Sequence, residues 1–188
     1  MITQSRTVPA PALGPRDRAM YHGAVWLFII AEAMIFVTLF GFRFVYLYGP
    51  RPDTLDYGIG LAVGIGLLLS AIPVAIGQKA MKNDNSRTLV LSNVIAALIG
   101  LGMTVVVFID WFSLPFSAHQ NFGGLYVITT AYHVVHMLIG VVILFATASS
   151  TARGKWHKNN YWTVRAGALF WYFVVLMWVG VYIVLYVL

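Results

Sequence analysis

The chain is 188 residues long, 60% hydrophobic and only 10% charged, and contains no cysteine. Soluble domains carry roughly 25% charged residues, so this composition excludes a water-soluble fold and a disordered one, while the lack of thiols excludes a disulfide framework and cysteine-based metal or redox sites. The net charge of +6 is then better read as a record of membrane topology than as affinity for nucleic acid.

Residues 1–20 carry Pro9, Pro11 and Pro15 with Arg6, Arg16 and Arg18, and no apolar run. They lack the h-region of a signal peptide and read as an irregular cytoplasmic tail ahead of a single membrane domain, 21–188. A helix needs about 20 apolar residues to cross roughly 30 Å of hydrocarbon. Five segments meet this requirement: 22–46, 58–77, 88–109, 122–148 and 161–187. Runs this long do not suit the short alternating strands of a barrel. The expected fold is therefore an all-α integral membrane bundle of five transmembrane helices.

Along these spans the polar and small residues fall at helical spacing. The first span holds Trp26 and Glu32, and Arg43 near its far end. The second carries Gly60 and Gly64, a small-xxx-small pair that permits close helix approach, and Pro73, a predicted kink near its end. In the third, Asn93, Ala97, Gly100 and Thr104 form a packing face, and Asp110 and Trp111 close it on the side that Arg43 reaches. The fourth holds His133 and His136, with Tyr126, Thr129 and Gly140 close to the same stripe. In the fifth, Trp171 and Trp178 are seven apart on one face, as a packing or lipid-contact stripe would be. No internal repeat is evident, which weighs against repeat-built transporters.

The charges orient the bundle. Ten of the twelve basic residues lie in the tail, in the second and fourth loops, or one turn into the last span (Arg165). Only Arg43 and Arg51 fall on the other side. Positive loops remain in the cytoplasm, so the N-terminus is expected inside and the C-terminus outside.

Ionisable groups at membrane depth are functional candidates by default. Glu32 lies ten residues into its span, about 15 Å along the axis at 1.5 Å per residue. No Lys or Arg falls within ten residues of it. Two readings stay open: a proton-active or lipid-contacting carboxyl, or a neutral acid hydrogen-bonded to a neighbouring helix. His133 and His136, three apart, share one face. A metal requires three or four ligands, and a bis-histidine haem requires a histidine at matching depth on another helix. His22, His119 and His157 all fall at edges or in loops, so the pair reads as a structural hydrogen-bonding pair that ties helices together, with Glu32 as one candidate partner. No catalytic triad, paired carboxylates or phosphate-binding loop is present, which leaves no catalytic residue and no metal ligand set to name.

Four stretches carry a family resemblance. The run from Trp26 to Phe36, with Glu32 six residues after Trp26, resembles the Trp-x-Phe-x-x-Ser-Glu-x-x-x-Phe segment of cytochrome c oxidase subunit III, with Ala31 in place of Ser. Leu101 and Gly102 through Asp110 and Trp111 resemble that family's Leu-Gly…Glu-Trp helix end. The run from Thr130 to Gly140, with His133 and His136, resembles Thr-Gly-Phe-His-Gly-x-His-Val-x-x-Gly. Phe170 to Trp178 is similar to Tyr-Trp-His-Phe-Val-Asp-x-x-Trp. The resemblance runs from about Tyr21 to the C-terminus and is to the five-helix bacterial form.

It implies a non-catalytic subunit of a haem–copper terminal oxidase in the bacterial cytoplasmic membrane. Haem and copper reside in partner subunits I and II. Subunit III packs on subunit I, binds phospholipid, and supports proton uptake and durability of the active site. Glu32 matches the family's intramembrane carboxyl, and Trp26, Glu32, Arg165 and Trp171 are the candidate lipid contacts. The departures are Tyr172 for a His, Val175 for an Asp and Arg165 where a Glu is usual. They leave open an accessory subunit of a quinol oxidase or nitric oxide reductase. On the residues alone, a small proton-coupled transporter using Glu32, His133 and His136 is the rival reading. Membership of a larger respiratory supercomplex is compatible with either oxidase reading.

Overall fold

The computed structural model describes residues 14–45, 52, 55–117, 121–158 and 160–188. The tail up to residue 13, with Arg6, and also Arg51 and His119, lie outside the described residues. Five helices follow in order: α1 (Pro15–Val45), α2 (Tyr57–Lys82), α3 (Ser86–Ser113), α4 (Asn121–Ala152) and α5 (Trp162–Tyr182), the last running into a π-helical turn, Ile183–Val187. All five are long and apolar enough to cross a membrane. Among the described residues the only β-structure is a single bridge between His157 and Asn160.

α2, α3 and α4 outrun at both ends the apolar segments that marked them, and α1 starts seven residues earlier than its segment. Pro15 opens α1, a position its fixed φ and missing N–H suit, so the helix starts within the stretch expected to be irregular. Asp56 caps α2 by accepting from Gly58 N at 2.7 Å, and Asn85 caps α3 by accepting from Thr88 N at 3.1 Å. Between α2 and α3 the chain reverses through Asp84, at φ 58°, in the left-handed region that Asp tolerates better than most residues. α2 runs unbroken through Pro73.

α3 packs between α2 and α4, α5 lies across α2 and α4, and α1 leans on α4 and α5. The seams are made by small residues and indoles. A Cβ on Gly60 would lie 2.5 Å from the Tyr186 ring, and one on Gly140 would lie 2.6 Å from the Trp171 ring. Gly100 faces the same indole from α3. Trp171 is thus enclosed between α3 and α4, where its Nε1–H donates to Ser70 Oγ of α2 at 3.0 Å. Trp178 Nε1–H donates to Gly60 O at 3.0 Å. Asn93, on α3, donates to Thr147 Oγ1 of α4 at 3.0 Å. In lipid, where apolar contact gives little net drive, close packing and such interhelical bonds hold a bundle together.

Cross-links also fix one end of the bundle, here termed the basic end. Gln78 Nε2 of α2 donates to Val164 O of α5 at 3.2 Å, the Lys158 amide donates to Asp84 Oδ1 at 3.1 Å, and His22 of α1 lies against Trp162 with ring centroids 4.3 Å apart.

Candidate functional site

The polar residues expected at mid-membrane meet where α1 crosses α4. Tyr132 OH donates to Glu32 Oε2 at 2.6 Å, and His136 Nε2 lies 3.2 Å from the same oxygen. His136 Nδ1 lies 2.8 Å from the Tyr132 carbonyl oxygen. A carbonyl only accepts, so Nδ1 carries a proton and donates. Nε2 must then share one proton with Glu32. Either the carboxylic acid donates to a neutral imidazole, or an imidazolium donates to the carboxylate. The pair is electrically neutral in both forms, which is what a low-dielectric site requires of a buried ionisable pair. The Glu32 side chain is 22% exposed and that of His136 only 6%. Phe36, fully buried one turn along α1, closes the site, with ring centroids 4.9 Å from Tyr132 and 5.5 Å from His136.

His133 faces elsewhere. Its Nε2–H donates to Val174 O of α5 at 2.9 Å, and its ring lies 5.0 Å from that of Trp178. The two histidines thus bind different neighbours, α5 for His133 and α1 for His136. A three-residue step turns a helix by 300°, leaving about 60° between side chains, and α4 uses that angle to reach both helices. Among the described residues no group of three or more His, Cys, Asp or Glu is placed to hold a metal ion.

A groove of about 820 Å³ opens at the basic end between α1, α2 and α5. Its mouth carries Lys79, Lys82, Asn83, Tyr161 and Arg165, and its wall includes Trp26, Ala75 and Leu169. Trp26 and Glu32 therefore occupy different flanks of α1, Trp26 toward α2 and α5, Glu32 toward α4. Arg165 lies in the groove with Trp26. Trp171, grouped with them by sequence, has no exposed surface, because the glycine seams enclose it.

At the opposite end Tyr126 OH donates to Asp110 Oδ2 at 2.6 Å and lies 2.5 Å from Tyr186 OH. Arg43 is 6% exposed, donates to Leu188 O at 3.1 Å and lies over the Phe122 ring. Sequence reasoning did not single out Tyr132, Lys79 or Lys82. Tyr132 was within reach, since it precedes His136 by one helical turn. The lysines counted only as loop charges, because nothing in one dimension shows that the end of α2 meets the start of α5.

Five long apolar helices, hydrogen-bonded to one another through buried polar side chains and carrying one partly exposed carboxyl between α1 and α4, define a multi-pass helical-bundle membrane protein. The family described as cytochrome c oxidase subunit III matches residues 15–188. Cytochrome c oxidase subunit 3 of Drosophila melanogaster is 25% identical over 193 residues, covering 92% of this chain and 72% of its own length. That of Synechocystis sp. is 25% identical over 186 residues, covering 93% of this chain and 78% of its own. The chain belongs to the cytochrome c oxidase subunit III family. Its role is that of subunit III in a haem–copper oxidase, a membrane oxidoreductase complex of respiratory electron transport, in association with other oxidase subunits.

Proposed function

We propose that the chain is a non-catalytic support for the oxidase. It packs on subunit I in a complex with subunit II, where the haem and copper reside. It binds phospholipid, with Trp26, Glu32 and Arg165 as contacts, and supports proton uptake and durability of the active site. It lies in a bacterial cytoplasmic membrane with the N-terminus inside. The observation that carries this reading is the Glu32–Tyr132–His136 cluster. In it a partly exposed carboxyl meets a phenol and an imidazole nitrogen between α1 and α4.

The test is purification of the complex through this chain. Larger haem-bearing subunits should co-purify, and Glu32→Gln should leave haem content intact while shortening sustained turnover or removing the response to a hydrophobic carboxyl reagent. Stoichiometric haem on this chain expressed alone would overturn the reading, as would purification without any haem subunit.

A further inference from the structure

α4 carries a stripe of polar side chains into the bundle, and most of them are spent on protein partners. Thr130, Thr147 and Thr151 turn their hydroxyls back onto carbonyl oxygens of their own helix, at 2.7, 2.9 and 2.8 Å. Tyr126 is held by Asp110 and Tyr186, and His136 by the Tyr132 carbonyl and Glu32. Two atoms are left over. Thr129 Oγ1 and His133 Nδ1 are buried without a hydrogen-bond partner in the protein, and among the described residues they are the only such side-chain atoms on α4. Thr129 is 1% exposed and His133 has no exposed surface. The Thr129 hydroxyl thus departs from the back-bonding of the helix's other buried threonines. The two residues are four apart, so they share a face, with Cβ atoms about 5–6 Å from one another.

Neither atom can be satisfied by lipid, and a buried polar atom without a partner is costly. His133 Nε2–H donates to Val174 O, so Nδ1 presents a lone pair and requires a donor. The neighbouring side chains cannot supply one. Trp178, 5.0 Å away between ring centroids, already donates its Nε1–H to Gly60 O, and Phe36 on another flank is hydrocarbon. We infer that a single water molecule is bound between Thr129 and His133, donating one hydrogen to His133 Nδ1 and paired through its oxygen or its second hydrogen with Thr129 Oγ1. Two atoms that share one water, each at about 2.8 Å, lie about 4.5–5.5 Å apart, a separation that the four-residue step permits. Two polar partners are enough to hold a buried water. A metal ion would require three or four ligands, and an apolar molecule would leave both atoms unpaired. The water has a structural consequence. It holds Nδ1 as an acceptor, which keeps the proton on Nε2, where it ties α4 to Val174 of α5. Thr129 is therefore a positioning residue for that tie.

Cryo-electron microscopy of the purified complex, at a resolution that shows ordered water, tests the assignment. The wild type should show one density peak within about 3.2 Å of both Thr129 Oγ1 and His133 Nδ1. Thr129→Val keeps the branched shape and removes the hydroxyl, and the peak should be lost. Thr129→Ser should retain it. No peak in a wild-type map that resolves other buried waters would overturn the inference. So would a Thr129 hydroxyl bonded directly to Nδ1 or turned back onto its own helix, or a peak unchanged in Thr129→Val. Thermal melts in one detergent give a second readout. Thr129→Val should lower the melting temperature of the wild type, because it leaves Nδ1 unpaired. In a His133→Phe background, which has no Nδ1, the same change should leave the melting temperature unchanged or raise it. Equal losses in the two backgrounds would show that the residues are not coupled and would overturn the shared water. Should Thr129→Val fail to assemble, the wild-type map still decides.

Discussion

Glu32 Oε2 faces both a phenol and an imidazole nitrogen, so the isosteric and the truncating substitution of this side chain differ in kind. In Glu32→Gln an amide nitrogen can donate to His136 Nε2 and to the Tyr132 oxygen, so the α1–α4 link survives and the chain should lose less than about 1 kcal/mol, the net worth of a typical hydrogen bond. Glu32→Ala leaves His136 Nε2 and Tyr132 OH with no partner at a largely dry contact, which should cost about 1–3 kcal/mol. Thermal melts of the two variants in the same detergent check the difference. Equal losses would mean that water replaces the carboxyl freely. The Trp171 seam gives a second residue-scale prediction. Gly140→Ala puts a methyl group 2.6 Å from an indole that α3 already holds from the other side. Overpacking of that kind costs about 1–3 kcal/mol, and it should appear as a lowered melting temperature with the helix content unchanged.

The helices themselves were legible in the sequence because hydrophobic length alone marks a span, and each apolar run lies almost wholly within an observed helix. Their ends were not, since polar capping residues such as Asp56 and Asn85 carry no hydropathy signal. The glycine and asparagine faces of α2 and α3 were also legible from helical spacing, and Asn93, Ala97, Gly100 and Thr104 are all buried. Which helix each face meets was not, because that depends on the order in which helices surround α5. Asn93 of α3 binds Thr147 of α4, and Asn93→Ala should cost about 0.6–2 kcal/mol, the range of interhelical hydrogen bonds in membranes. α1 is the least enclosed of the five. Phe36 is its fully buried anchor, with His136, Tyr132 and Phe173 around it. Phe36→Ala should therefore loosen α1 selectively. Hydrogen exchange on the complex should rise along α1 and stay low along α5, and a uniform rise across both helices would show that α1 is not an independent element.

At the scale of the whole molecule the charge asymmetry is stronger than a count of residues indicates. Lys79, Lys82, Arg87, Arg153, Lys155, Lys158 and Arg165 are all exposed at the basic end. Arg43, at the other end, is buried, with its guanidinium bonded to a backbone carbonyl and laid over an aromatic ring. A guanidinium buried in this way keeps its charge but presents less of it to the membrane surface than an exposed loop cation does. Loop Lys and Arg near helix ends set the orientation of a membrane protein, so the basic end should face the cytoplasm and the α3–α4 connection should face out. The absence of native cysteine makes the test free of background. Lys155→Cys and Ser113→Cys each place one thiol at an exposed position, at opposite ends of the bundle. In intact cells whose outer barrier has been made permeable, a membrane-impermeant maleimide should label the thiol at 113 and spare the one at 155. Inverted vesicles should give the reverse. Labelling of both thiols from one side would be incompatible with five crossings, and labelling of 155 alone in intact cells would invert the topology.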